Sequence, residues 1–131
     1  MTHIVIAIDD DEERAQIQAE RVAELDWDEE EVSATVLHVF TDNIEGAGIS
    51  QFRPARKAVD ILEDAGIEVS AYESSGDPAE RVVAYADKNE ADLICVAGRK
   101  RSPAGKAVFG SVSQSVMLDS EIPVLFCPSE E

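Results

Sequence analysis

The feature that most constrains this chain is an alternation of two periodicities along its length. Short apolar, β-branched runs fall at residues 4–8, 32–40, 67–72, 93–97 and 122–126, each about the length of a strand. Between them lie segments with helical spacing. Ala15, Ala19, Val22 and Leu25 make one stripe, and Ala55, Ala58, Val59, Leu62 and Ala65 the next. Val82, Val83 and Ala86 follow, then Val112, Val116 and Met117. In Asp77-Pro78-Ala79-Glu80 a capping carboxylate precedes a proline at the first helical position, with a glutamate three residues after the cap. Gly66 stands where a helix C-terminus expects glycine. The order is therefore β-α-β-α-β-α-β-α-β. Strands joined by helical crossovers imply an α/β fold: a five-stranded parallel sheet, Rossmann-like, with helices on both faces. The 131 residues are one domain's worth of chain, and no linker divides them, so residues 1–131 read as a single domain.

Charge narrows the partners. The chain carries 28 acidic against 11 basic residues, a formal net charge of −17, which disfavours nucleic-acid phosphates and anionic membranes. No apolar run approaches the roughly 20 residues of a membrane helix, and the first residues lead straight into a strand pattern, so the expected location is cytoplasmic. The acids are spread among regular apolar patterns and only four lysines are present, which reads as the acidic shell of a halophilic protein. Cys95 and Cys127 sit inside apolar runs and read as buried thiols. Two Cys and two His, dispersed, give no metal-ligand spacing.

One segment breaks the acidic pattern. Arg99, Lys100, Arg101 and Lys106 fall within eight positions without an acid, bracketed by Gly98 and by Gly110-Ser111. They follow the fourth strand and lead into the fourth helix. A phosphate there meets free backbone amides at a helix start, a favourable dipole, a hydroxyl and cations. The plainer reading is that the cluster pairs with surrounding carboxylates. The glycine-containing loop at 41–50 leaves the second strand at the end where α/β sheets place ligands, as a lid or as an idle surface loop. His38 reads as a satisfied core histidine, His3 as a residue at the opposite end of the sheet, and Trp27 as a packing residue.

Over its whole length the chain resembles the universal stress protein family. Residues 4–9 look like that family's first strand ending in its aspartate, and 36–39 like its second. Gly76-Asp77-Pro78-Ala79 is similar to the start of its third helix. Residues 91–98 are similar to its fourth strand, Gly110-Ser111-Val112-Ser113 to the end of its phosphate loop, and Ile122-Pro123-Val124-Leu125 to its fifth strand. The resemblance, to a single-domain haloarchaeal type, implies an adenine nucleotide alpha hydrolase-like sheet and a non-catalytic regulator or sensor. The ligand it implies is ATP or AMP, with Mg²⁺ if ATP. Carried over by position, Ile8 and Val39 would offer backbone groups to the base, and Asp9 would meet the ribose or a metal ion. Gly98, Gly110, Ser111 and Val112 would surround the phosphates. The family's nucleotide-binding members have Gly-x-x-Gly, nine residues, then Gly-Ser or Gly-Thr. Here the span from Gly98 to Gly110 is one residue short, and the middle glycine falls on Arg101 or Lys100. Either that cation replaces the lost backbone contact, or it fills the pocket and leaves a dimeric protein-interaction scaffold without nucleotide. The resemblance also implies a homodimer through the fifth strand, at Ile122, Val124, Leu125 and Phe126.

Two other classes fit poorly. A phosphoacceptor receiver domain would use Asp9-Asp10-Asp11, but needs an aspartate ending strand three and a lysine ending strand five. Those strands end Tyr72-Glu73-Ser74-Ser75 and Cys127-Pro128-Ser129. No Ser–His–acid or Cys–His arrangement is suggested, so a binding module outranks a catalyst, with slow ATP hydrolysis at Ser111 and Asp9 as the most an enzyme reading supports.

Overall fold

A computed structural model describes residues 2–25, 27, 32–40, 48–100 and 107–129. Strand β1 (Thr2–Ile8) leads to helix α1 (Glu12–Glu24), then β2 (Val32–Phe40), α2 (Arg53–Asp64), β3 (Glu68–Ser75), α3 (Pro78–Lys88) and β4 (Leu93–Lys100). A three-residue strand β5 (Ala107–Phe109), helix α4 (Ser111–Asp119) and β6 (Val124–Ser129) complete the order. The five long strands are parallel, arranged β3-β2-β1-β4-β6.

The period-two alternation of β1 explains why helices cover both faces. Ile4, Ile6 and Ile8 pack with Ala15, Ala19 and Val22 of α1 and with Ala55, Ala58 and Leu62 of α2. Val5 joins Leu37, Val39, Ile94 and Val96 on the other face, under Ala79, Val82 and Ala86 of α3 and Val116 of α4. The helix ends follow their local chemistry. Asp77 accepts from the Glu80 amide at 3.0 Å, with Pro78 first in α3. After α2, Gly66 adopts φ +84°, its amide reaches the Glu63 carbonyl, and the Ile67 amide reaches Leu62. This is the paired closure that a left-handed residue at that position permits.

Three sequence expectations change. Leu25 is 41% exposed rather than part of the buried stripe, because the chain is already extended there (φ −67°, ψ 148°). Val112 is also exposed, at 39%, since it stands in the first turn of α4 at the mouth of a cleft. Finally, β4 continues three residues past Ala97. Gly98–Lys100 pair antiparallel with β5 along one edge, while Gly98 and Arg99 pair with β6 along the other. An apolar pattern could not reveal this extension, because its partners, not its side chains, make it a strand.

Candidate nucleotide-binding cleft

The carboxyl ends of β1, β2 and β4 and the first turn of α4 enclose a cleft of about 790 Å³, a size typical of small-molecule sites. Crossover connections put the loops and helix starts at this end of a parallel sheet, so the position follows from the topology. Of the residues expected from sequence, Ile8, Asp9, Val39, Gly98, Gly110, Ser111 and Val112 all line this cleft. Arg101 lies outside the described residues. Lys100 is described only as a backbone position in β4. Most of the 41–50 loop also lies outside them.

The floor is held by the sheet. Ser113 in α4 donates to the Ala97 carbonyl at 2.6 Å, and Ser129 in β6 donates to the Gly98 carbonyl at 3.1 Å. Gly98 is thus a buried strand residue paired on both edges. At the opposite wall, Gly110 caps α4 with no side-chain hydrogen bond, so the first-turn amides of this nine-residue helix have no side-chain acceptor from their own cap. Gly110 has ordinary extended geometry (φ −70°), and a Cβ added there would meet no atom within 4 Å. Neither conformation nor packing within the described chain therefore requires a glycine at this point.

Asp9 is occupied in a way sequence reasoning did not foresee. One carboxylate oxygen accepts from the Asp11 amide at 2.9 Å and the other from Arg14 Nε at 2.7 Å. Asp11 in turn caps α1 through the Arg14 amide. Arg14, with its side chain only 12% exposed, is consequently a positive group built into the cleft wall. Its signal was available: it is the sole lysine or arginine among the first twenty residues, set in an otherwise acidic helix start.

The sequence reading also passed over an aromatic corner. His38 stacks on Phe52 (centroids 4.3 Å, 28°) and meets Phe40 edge-on (4.5 Å, 82°), and all three line the cleft. His38 Nδ1 lies 2.9 Å from the Ile8 carbonyl, so one lone pair of that carbonyl is already committed. Phe52 comes from the start of α2, far from His38 in sequence, and no local pattern linked them. His3, by contrast, sits at the other end of β1 with Ser33 and Thr35.

Residues 1–128 match the model of the universal stress protein family. The chain belongs to that family. It is 42% identical over 50 residues to the stress response protein NhaX of Bacillus subtilis (strain 168), a match covering 38% of this chain and 30% of that protein. The chain thus spans less than a third of that relative. A universal stress protein structure from Archaeoglobus fulgidus superposes with a TM-score of 0.73 at 29% identity, covering 96% of this chain and 98% of that one. A universal stress protein from the same organism solved in complex with dAMP gives a TM-score of 0.69 at 24% identity, covering 96% and 97%.

Among the described residues no three His, Cys, Asp or Glu side chains stand together as a metal-ligand group. No described helix is long and apolar enough to cross a membrane. Cys95 of β4 and Cys127 of β6 are buried free thiols with their sulfurs 3.5 Å apart, and neither lines the cleft.

Proposed function

We propose that this universal stress protein is a non-catalytic regulator or sensor that binds an adenine nucleotide, AMP or ATP, in the cleft beside β4 and α4. The observation that carries this reading is the glycine-capped start of α4. The first-turn amides have no side-chain cap, Gly110 and Ser111 line the cleft, and a Cβ added at Gly110 would meet no described atom within 4 Å, an arrangement that suits a phosphate. Arg14 adds a cation in the same wall, and the aromatic corner of His38, Phe40 and Phe52 offers apolar surface to a base. Ile8, Asp9, Val39, Gly98 and Val112 complete the proposed site. The dAMP complex of a similar fold supports the ligand class. Magnesium, if it arrived with ATP, would find Asp9 and Asp10 as the carboxylates among the residues lining the cleft.

The protein is further proposed to act in the cytoplasm as a halophilic homodimer, its single domain spanning residues 1–131. Supporting the dimer, β6 pairs with β4 on one edge and with no described strand on the other. The apolar Val124, Leu125 and Phe126 and the preceding Ile122 lie half-buried there. Calorimetry with AMP and with ATP, with and without Mg²⁺, in molar KCl tests the binding. Gly110→Asp places a carboxylate where the phosphate belongs, and the heat seen with the wild type is expected to vanish. Retained affinity in that variant, or no heat with the wild type, overturns the proposal.

A further inference from the structure

The orientation of one ring in the cleft sets a chemical preference. The Ile8 carbonyl has no proton to give, so the 2.9 Å contact at His38 Nδ1 requires the hydrogen on that nitrogen. In the neutral ring Nε2 is then the acceptor. His38 is only 8% exposed, yet Gln18 Oε1 is the sole sealed, unpartnered side-chain N or O among the described residues. Among the described residues His38 makes no hydrogen bond other than that to Ile8. Nε2 is therefore unpartnered but not sealed, on a residue that lines the cleft. Phe52 across one face and Phe40 at the edge resist rotation of the ring, and rotation would also break the bond to Ile8.

We infer that His38 Nε2 reads the base, accepting a hydrogen bond from an exocyclic amino group and discriminating against purines that carry a carbonyl, or nothing, at that position. The inference rests on the nucleotide reading above and adds to it a specificity-determining residue. A 6-aminopurine supplies the missing donor. A 6-oxopurine sets one acceptor against another, and both then lose water without a replacement bond. Phosphate and ribose are common to such ligands, so their contacts cancel in the comparison.

The test is calorimetric titration in molar KCl with AMP, IMP and purine riboside 5′-monophosphate, for the wild type and for His38→Phe, which keeps an aromatic ring but removes the acceptor. The wild type is expected to bind AMP about tenfold or more tightly than the other two, the worth of roughly one hydrogen bond to an otherwise unpaired group. In His38→Phe the three affinities should converge to within about threefold. Every result is a ratio between ligands on one preparation, so a partly unfolded variant changes all three alike. The wild-type series also stands without the variant. Equal wild-type affinities refute the role of His38 while leaving nucleotide binding intact. Selectivity that survives in His38→Phe refutes it also, since another group then reads the base. If the wild type binds none of the three, the nucleotide reading falls and this inference with it.

Discussion

Two buried side chains that do not line the cleft test the physics of the interior at the scale of a residue. The hydrogen bond shared with Cys127, and then complete burial, hold the Cys95 thiol well above its ordinary value. A raised folded-state value means that the unfolded chain releases this proton first. The contribution of Cys95 is therefore fully present below the ordinary value of 9.0 and is lost as the pH climbs above it. Cys95→Ala should flatten the alkaline fall in stability, measured as urea midpoints between neutral and strongly alkaline pH. A slope equal to the wild type's would contradict the account. At the surface, Asp77 satisfies an orphan amide of α3. Asp77→Ala is expected to cost about 1 kcal/mol, read from the denaturant midpoint. His38 and Trp27 show how far local reading extends. Both were expected to be structural residues; Trp27 does pack on the α1–α2 core, whereas His38, expected to be a satisfied core histidine, lines the cleft with only Nδ1 hydrogen-bonded among the described residues. The bond from Trp27 to the Val22 carbonyl, 2.7 Å, closes the end of α1 and depends on a chain path that spacing does not encode.

Among the elements, α4 carries the most informative contrast. Asp is a better helix cap than Gly by a few tenths of a kcal/mol, so the Gly110→Asp variant should keep or slightly raise its melting temperature while losing nucleotide. Stability and binding then move in opposite directions, as expected if an uncapped helix start is kept for a ligand. Strands β3 and β6 manage their edges differently. β3 is largely exposed and carries Glu68, Glu73 and a 48% exposed Tyr72, a charged edge that discourages pairing. β6 has no charge between Val124 and Ser129, and Pro128, which lacks an amide donor, is tolerated because the strand is an edge. Sedimentation at micromolar concentration in molar KCl should find a dimer, and Leu125→Glu should yield monomer. A wild-type monomer would rule out pairing through this strand.

On the scale of the whole molecule, electrostatics sets the working conditions. A net charge of −17 repels itself at low ionic strength, whereas molar salt contracts the screening length to about 3 Å. Melting temperature should rise from dilute buffer to molar KCl, and a flat response would argue against a halophilic shell. The order of elements, the two-faced core and the helix ends at Asp77 and Gly66 were legible in sequence, because each rests on a local period or on one residue's backbone preference. So were the cleft-lining positions at strand ends, which inherit their place from the topology. Other features came only with the folded chain: the Asp9–Arg14 pair, the stacking of His38 on Phe52, the continuation of β4 past Ala97 and the meeting of Cys95 with Cys127. Each joins groups whose contact depends on how strands are ordered and how crossovers land. A pattern of apolar residues specifies which face is buried, but only close packing decides which polar atoms meet and which one is left facing a ligand.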